Sequence, residues 1–301
     1  MEKSPTSVCF ILNPAADKSR SARHAAWLRR QAEQRWHRFE VVLSTPDEPM
    51  KELAAKKAAE FDVIVACGGD GTVHQVVNGI AGIGTGFAVL PVGTGNDFAK
   101  SLNLPESREA ILDLIQKNKF QNADLIRFKG DSEGWCVNTL GIGLDGLANH
   151  YSKSFHRIKG FIIYVMGALK ASFKFRGALF SITSGPEKKD LSGEFLMVTV
   201  CNGKWEGGTF YIAPGATLFD GRADLVTVDK ISVPKILLYM SCFKNGPATW
   251  MNALNTQKVT SLNVHAETAV AVHADGEQLG TEIHNLYITV ERGILPVIAG
   301  H

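Results

Sequence analysis

The chain has 301 residues, of which 45% are hydrophobic and 21% charged, and its formal net charge is +2. This length allows one large domain or two ordinary ones, and a charge so close to zero gives no overall field that would favour nucleic acid as a partner. Five single cysteines, none in a CxxC pair, argue against a disulfide framework and predict buried thiols in a reducing cytoplasm.

Secretory and membrane-spanning segments are not predicted. The apolar run from Val8 to Leu12 is too short for the core of a signal peptide. The longest apolar candidate, Gly160 to Leu169, is about half of what a membrane span needs. The nine histidines show no HxxxH or Cys-His spacing, so a dedicated zinc site is not predicted. We expect a cytoplasmic protein that is soluble or touches a membrane from one side.

The first third of the chain alternates strand and helix patterns, which is typical of a doubly wound α/β sheet. Its most apolar strands are continuous hydrophobic runs, as expected where a parallel sheet is covered on both faces. The predicted strands are Val8–Leu12, Phe39–Leu43, Asp62–Cys67 and Phe87–Leu90, and the predicted helices are Ser19–Arg35, Met50–Glu60, Thr72–Ile80 and Asn96–Leu102.

Beyond about residue 122, strand-like runs follow one another in quick succession between turn signals. This pattern predicts an antiparallel β-sandwich, interrupted by helices near 145–175 and 234–244. The predicted fold class is therefore α/β plus β, with an α/β domain at 1–122 and a β-rich domain at 123–290. The predicted strands are Ala123–Phe128, Trp135–Leu140, Ala178–Thr183, Glu194–Val200, Ala223–Val228, Val259–Val264, Ala269–His273 and Leu286–Val290.

Two glycine-rich loops follow successive buried strands. The first is Gly68-Gly69-Asp70-Gly71-Thr72, and the second, Gly93-Thr94-Gly95-Asn96-Asp97, begins 25 positions later (93 − 68). Glycines permit close backbone approach, and a helix start offers N–H donors to phosphate. Loops after successive strands of an open α/β sheet meet at one crevice, so the pair predicts a ligand site. The alternative is that both are tight turns that bind no ligand, because these would have the same sequence pattern. Asp70 would repel phosphate, so we expect it to hold a magnesium-linked network or the loop itself.

Two other nucleotide-binding motifs do not fit this sequence. There is no GxxxxGK[ST] loop, and the GxGxxG match at 141–146 lacks the acidic residue of a dinucleotide site, since no Asp or Glu lies between Gly146 and Pro186. Basic residues in this acid-free stretch surround the apolar run 161–166, which suits an anionic membrane surface or a solvated helix face equally. They are Lys153, Arg157, Lys159, Lys170, Lys174 and Arg176; Pro234–Phe243 is a second apolar helix of the same ambiguity.

Taken together, the motifs resemble the diacylglycerol kinase catalytic family of soluble bacterial lipid kinases, with sphingosine and ceramide kinases as more distant relatives. The resemblance covers nearly the whole chain and depends on the order and spacing of the motifs, because GGDGT alone also occurs in NAD kinases and phosphofructokinases. The motifs are Asn13-Pro14, Gly68–Thr72, Gly93–Asp97, Asn138, Gly141–Asp145, Asn202, Pro214–Ala216, Asp220-Gly221 and Asp275-Gly276-Glu277.

The resemblance implies an ATP- and Mg²⁺-dependent lipid kinase with its ATP site between the two domains, and a chain that returns to the α/β sheet from about residue 291. It implies Glu277 as the general base, with Asp275 of the same motif, and Asp70, Asp97 and Asp220 in the magnesium network. The implied nucleotide-binding residues are Asn13, Pro14, Gly68, Gly69, Asp70, Gly71, Thr72, Gly93, Thr94, Gly95 and Asn96. The implied partners are ATP and a membrane lipid, diacylglycerol first, met by peripheral membrane contact; a homodimer is one candidate assembly.

The sequence departs from the family pattern at two places. Ala15-Ala16-Asp17 replaces the usual glycine-containing turn after Asn13-Pro14, and Phe219 stands where an aspartate usually precedes Asp220. Other functions stay open at this point: a sphingoid-base or ceramide kinase, a soluble-metabolite kinase of the NAD kinase type, or a non-catalytic nucleotide- or lipid-binding protein. Glu277 could also be a solvated turn residue.

Overall fold

The computed structural model describes residues 7–14, 21–155, 161–185 and 190–300, without the side chains at 21, 22 and 161. The chain forms two compact units: Met1–Ala123 together with Gly293–His301, and Asp124–Arg292.

The first unit is a parallel sheet with the strand order β2–β1–β3–β4, and the end of the long last strand joins it beside β4, where Val297 lies opposite Phe87. Its elements are β1 (Ser7–Leu12), α1 (Ser21–Glu33), β2 (Arg38–Leu43), α2 (Met50–Ala58), β3 (Val63–Gly68), α3 (Asp70–Ile80), β4 (Gly86–Pro91), α4 (Asp97–Ser101) and α5 (Arg108–Lys117). β5 (Phe120–Lys129) leads into the second unit.

The central strands of this sheet are buried along their whole length, because helices cover both faces. Every residue of β1 and β3 is buried. Side chains alternate between the faces of a strand, and Val8, Phe10 and Leu12 pack in one core with residues of α1 and α5. This is the doubly wound α/β arrangement that the continuous apolar runs predicted.

The second unit is antiparallel, in the order β13–β12–β9–β7–β14–β15, with β8 paired to both β9 and β14, and β5 paired to β6. Its elements are β6 (Glu133–Cys136), β7 (Thr139–Gly143), α6 (Leu144–Ser152), α7 (Phe161–Lys174), β8 (Ala178–Ser184), β9 (Leu191–Cys201), β10 (Trp205–Glu206), β11 (Phe210–Tyr211), β12 (Ala223–Asp229), α8 (Val233–Cys242), β13 (Leu254–Val259), β14 (Ser261–Ala274) and β15 (Glu277–Ile298).

Several predicted boundaries were wrong. The predicted strand Trp135–Leu140 is two strands, because the N–H groups of Val137 and Asn138 between them donate to the Asp275 carboxylate rather than to a neighbouring strand. The predicted strand Val259–Val264 is divided at Thr260: Val259 ends β13, and the residues after Thr260 begin β14. The predicted strand Ala269–His273 is also part of β14. Helix α5 was not predicted, and α3 begins at Asp70 rather than Thr72.

Within the described residues, no helix is both long and apolar enough to cross a membrane. Cys9, Cys67, Cys136 and Cys201 are buried free thiols, as predicted, whereas Cys242 is half-buried. The start of the predicted first helix, the 15–17 segment, and Arg157 and Lys159 lie outside the described residues.

Candidate functional site

The first glycine loop connects β3 to α3 in the first unit. Gly69 caps α3, and its carbonyl accepts hydrogen bonds from the N–H groups of Thr72 and Val73. A Cβ built at Gly68 would lie 2.1 Å from the Thr72 hydroxyl oxygen, so only glycine lets the chain turn this tightly into the helix.

The second glycine loop is closed by the side chain of Asn96. Its amide group donates to the Gly93 carbonyl and its carbonyl oxygen accepts from the Gly93 N–H (2.9 and 3.1 Å), while its own backbone is left-handed, with φ of 54°. Asparagine is one of the few residues other than glycine that adopt this conformation readily.

The two loops are packed against each other backbone to backbone. A Cβ at Gly93 would lie 2.5 Å from the Gly69 Cα atom, and a Cβ at Gly69 would lie 3.3 Å from the Gly93 Cα atom. Asp70 joins the loops as well, because its Oδ1 accepts the N–H of Asp97 at 2.7 Å. The structure thus brings the two predicted loops together and shows Asp70 holding the loop arrangement.

The other predicted residues of the first unit surround these loops. The Asn13 side-chain amide lies 3.5 Å from the Thr72 hydroxyl, and Pro14 is the second residue after the end of β1. Asp97 is buried, with its carboxylate 3.6 Å from Lys100 Nζ. Carboxylate oxygens at Asp70 and Asp97 are the ligand type that Mg²⁺ prefers, and the short Asp97 N–H to Asp70 bond keeps both residues at one loop junction.

In the second unit, Asp275 and Gly276 form the tight turn between β14 and β15. Both have positive φ (51° and 82°), and Ala274 pairs with Glu277 across the turn. An Asp-Gly pair is the preferred sequence for such a hairpin.

The carboxylate of Asp275 is occupied by the protein itself. Oδ1 accepts the N–H groups of Asn138 and Thr139 (2.8 and 3.2 Å), and Oδ2 accepts the N–H of Val137 (2.9 Å). The Cys136 thiol lies 3.2 Å from Oδ1. These contacts fit an anchor for the turn better than a group that reacts with a substrate.

Glu277 differs from Asp275, because its side chain remains 43% exposed. Its Oε2 accepts a hydrogen bond from Lys153 Nζ at 3.2 Å. An exposed ion pair of this kind contributes little to stability, so the carboxylate is available to another partner.

One face of α6 runs alongside the turn. Asp145, Asn149 and Lys153 recur at intervals of four residues, which places them on one side of a helix. Asp145 approaches His273 (3.4 Å), a Cβ at Gly276 would lie 3.8 Å from Asn149 Oδ1, and Lys153 pairs with Glu277. The Asn149 Nδ2 atom is buried and has no hydrogen-bond partner among the described residues. We call these three residues the α6 polar face.

A buried cluster of three titratable groups adjoins this face. His273 Nε2 lies 3.1 Å from Glu206 Oε1 and 3.4 Å from Asp145 Oδ1, and the ring is only 2% exposed. The Thr199 hydroxyl donates to Asp145, and Gly141 lies close enough that a Cβ would be 2.1 Å from Asp145 Oδ2. Glu206 and His273 were not predicted as site residues, because positions 145, 206 and 273 are far apart in the chain and carry no local spacing signal.

The cluster fits a shared proton better than a metal ion. Its three ligand atoms lie within 4.8 Å of one another, which suits a metal by atom type. However, the Gly276 N–H donates to His273 Nδ1 (3.2 Å), so in the neutral ring the proton belongs to Nε2, the atom that would have to bind the metal. Glu206 can hold a further proton beside Asp145.

The pKa shifts of the three groups also indicate that the cluster retains a proton. Burial and the adjacent Asp145 raise the pKa of Glu206 to about 8, and the pKa of Asp145 is lowered despite burial because His273 lies beside it. Burial would lower the pKa of His273, but Asp145 and Glu206 raise it to about 10. The Gly276 N–H opposes the imidazolium form, because it needs the Nδ1 lone pair. We therefore assign the retained proton to the cluster as a whole.

We expect the second unit to lose stability as the pH rises through about 8. Glu206 has a folded-state pKa above its ordinary value, so the folded protein holds a proton that the unfolded chain releases, and stability present at lower pH is lost on the alkaline side. The free energy of unfolding should fall by roughly 1 kcal/mol per pH unit between pH 6.5 and 8. Urea unfolding at a series of pH values measures this slope.

The variant Glu206→Gln should have a smaller slope, because a glutamine amide can donate to Asp145 without a titratable proton; the slope that remains reports the raised pKa of His273. Glu194→Gln is a matched control, since Glu194 is half-exposed and paired with Lys230. An unchanged slope in Glu206→Gln would contradict the assignment of the retained proton.

Asp220, the remaining predicted magnesium residue, is bound by the protein's own groups. Its Oδ1 accepts the Arg222 N–H and its Oδ2 accepts Lys258 Nζ, both at 3.0 Å. Nearby, the Asp124 carboxylate accepts the Gly221 N–H at 2.6 Å. Two further motif residues have structural contacts: Asn202 donates to the carbonyls of Asp124 and Val137, and Asn138 to that of Trp205.

The fold and these contacts define a class of protein: a doubly wound α/β unit with two interlocked glycine loops, joined to an antiparallel β unit with an exposed glutamate after a tight turn. Two family models match the chain, the diacylglycerol kinase catalytic domain over residues 7–128 and the YegS C-terminal NAD kinase beta sandwich-like domain over residues 138–299. The chain therefore belongs to the diacylglycerol kinase catalytic-domain family with a YegS-type C-terminal domain.

Individual proteins agree with this assignment. A diacylglycerol kinase of Bacillus subtilis is 28% identical over 289 residues, covering 92% of this chain and 93% of that protein. A diacylglycerol kinase of Mycobacterium tuberculosis is 26% identical over 243 residues, covering 79% of this chain and 77% of that protein. The crystal structure of a diacylglycerol kinase from Bacillus anthracis is similar in fold, with a TM-score of 0.74 at 20% identity over 98% of this chain and 97% of that one.

Proposed function

We propose that this protein is a lipid kinase that transfers the γ-phosphoryl group of ATP to a lipid hydroxyl, with diacylglycerol as the first candidate acceptor and phosphatidic acid as the product. The observation that carries the proposal is the backbone-to-backbone packing of the Gly69 and Gly93 loops at the ends of β3 and β4, in a chain whose two units match the two domains of the family. The relatives named as diacylglycerol kinases support the choice of acceptor.

In this mechanism the first unit holds ATP. The N-terminus of α3 and the two glycine loops present backbone N–H groups where phosphate oxygens bind favourably, and Asp70 keeps the second loop in place through the Asp97 N–H. The Mg²⁺ that accompanies ATP would be held near Asp70 and Asp97 and would neutralise charge on the phosphate oxygens. Positioning and charge compensation are most of what phosphoryl transfer requires from a protein.

In the second unit, Glu277 would accept the proton of the attacking lipid hydroxyl. Asp275 would position Glu277, because its carboxylate anchors the turn that leads to Glu277 two residues later. Lys153 Nζ donates a hydrogen bond to Glu277 Oε2 at 3.2 Å and would keep the carboxylate oriented.

The lipid acceptor implies peripheral membrane contact, and an exposed apolar surface on α7 supports it. Ile162 and Phe173 are 61% and 63% exposed. They are 11 residues apart (173 − 162), which at about 100° per residue returns to the same helix face within about 20°. Lys170 and Lys174 lie on the same helix, and Leu238 of α8 is also exposed. Exposed apolar groups with neighbouring cations are typical of a helix that lies on an anionic bilayer.

Replacing Phe173 with glutamate should weaken binding to vesicles that contain anionic phospholipid by about tenfold or more, because it removes an apolar contact worth about 2 kcal/mol and adds a repelled charge. Co-sedimentation measures the bound fraction. Ile83→Glu makes the same kind of change at another exposed position (52%) and should bind like the parent protein. Equal binding by Phe173→Glu would remove α7 from the contact.

The function itself is tested by incubating the purified protein with a total lipid extract and labelled ATP, then identifying the labelled product by mass spectrometry. A labelled phosphatidic acid is the expected product. A labelled sphingoid base or ceramide would keep the lipid kinase and change its acceptor. A parallel incubation with NAD in place of lipid tests a soluble acceptor. Two results would contradict the proposal: ADP release that does not depend on lipid, and the absence of any ADP release.

A further inference from the structure

The ammonium group of Lys258 lies among three oxygen atoms in the second unit. It donates to the Gly215 carbonyl and to Asp220 Oδ2, each at 3.0 Å, and it lies 2.9 Å from Asp224 Oδ2. We propose that Lys258 takes the place of the structural magnesium ion that the family pattern implies at Asp220, so that the second unit folds without a metal at this point.

The three oxygens are of the types that a hard cation would use. A backbone carbonyl and two carboxylates are common magnesium and calcium ligands, but an ammonium group carries three donors. Here it donates two hydrogen bonds and lies within ion-pair distance of the third oxygen. Magnesium binds oxygens at about 2.1 Å, so an ion among the same three atoms would displace the ammonium group, and the two like charges would repel.

Strand register places the lysine here. Lys258 of β13 lies directly opposite Asp224 of β12 in the antiparallel ladder, and such cross-strand neighbours are within reach of each other's side chains. The Asp224 side chain is only 6% exposed. A buried carboxylate needs a compensating cation. Here the cation is a side chain of the adjacent strand.

The cation also explains why Phe219 is tolerated. The family pattern has an aspartate before Asp220, and its loss leaves Asp220 and Asp224 as the acidic groups in contact with Lys258. Their two negative charges against one ammonium leave −1, whereas a further carboxylate would require more positive charge. On this proposal, Lys258 replaces the metal ion, and Phe219 stands where the metal ion would have had one more ligand. We call this replacement the exchange.

Thermal unfolding without nucleotide tests the exchange. The melting temperature of the parent protein should be the same in EDTA and in excess Mg²⁺, within about 1 °C. Lys258→Met should melt roughly 4–8 °C lower in EDTA, because Asp224 is then buried without its cation. Excess Mg²⁺ should restore part of that loss, since the oxygens are free to bind it. Lys258→Gln, which keeps a donor, serves if the methionine variant is insoluble.

Two controls separate this site from general effects. Lys230→Met breaks a half-exposed pair with Glu194 and should shift melting by less than about 2 °C with no response to Mg²⁺. Lys258→Met combined with Asp224→Asn should lose the Mg²⁺ response. Mn²⁺ binding followed by electron paramagnetic resonance should show a site in Lys258→Met that the double variant lacks.

Two results would overturn the proposal. One is a parent protein that is destabilised by EDTA and rescued by Mg²⁺ in a manner that Asp224→Asn abolishes. The other is a Lys258→Met or Lys258→Gln variant that melts like the parent protein in both buffers.

Discussion

Glu277→Gln should lower the rate constant for lipid phosphorylation by about 10²–10⁴-fold while the protein still folds and binds ATP. Glutamine has nearly the same shape but cannot accept the hydroxyl proton. The change also removes the Lys153 ion pair, but that pair is exposed on both sides and contributes little to folding. Initial rates with labelled ATP and the lipid identified as substrate measure the effect, and nucleotide-dependent thermal stabilisation reports ATP binding separately.

Glu282→Gln is the matched control, because Glu282 is an exposed glutamate on the same strand, β15. It should phosphorylate lipid at the parent rate. A Glu277→Gln enzyme that retains the parent rate would exclude Glu277 as the general base and favour the solvated turn residue that the sequence left open. If Glu277→Gln loses ATP binding as well, the defect is one of folding rather than of proton transfer.

Gly93→Ala should reduce kcat/KM for ATP by about 10²-fold, because the new methyl group would lie 2.5 Å from the Gly69 Cα atom and would push the two loops apart. A displacement of about 1 Å is enough for such a loss when catalysis depends on positioning. The backbone at Gly93 has no positive φ, so the substitution tests loop contact rather than backbone strain.

Gly69→Ala should be milder, because its methyl group would lie 3.3 Å from the Gly93 Cα atom. Gly215→Ala, whose nearest contact would be 3.9 Å, should leave ATP kinetics unchanged. The expected order of damage is therefore Gly93→Ala, then Gly69→Ala, then Gly215→Ala. Parent-like ATP kinetics in Gly93→Ala would argue that the interlocked loops do not form the nucleotide site.

Much of the local structure could be predicted from the sequence. The continuous apolar runs of β1, β3 and β4 indicated a parallel sheet covered on both faces, and the quick succession of short strands indicated the antiparallel unit. These patterns are readable because side chains alternate or run continuously according to burial. Boundaries failed where a distant side chain intervened, as at Val137 and Asn138, whose N–H groups are taken by Asp275.

Within the candidate site, the sequence predicted which segments would carry chemistry: the glycine loops, the Asp-Gly turn and the glutamate after it. Local chain geometry dictates those residue types, so they leave a visible pattern. Tertiary structure alone decided what each side chain contacts. It brought His273 to Asp145 and Glu206, and it placed Lys258 opposite Asp224. Such pairs depend on strand register across tens of residues, and sequence spacing contains no record of register.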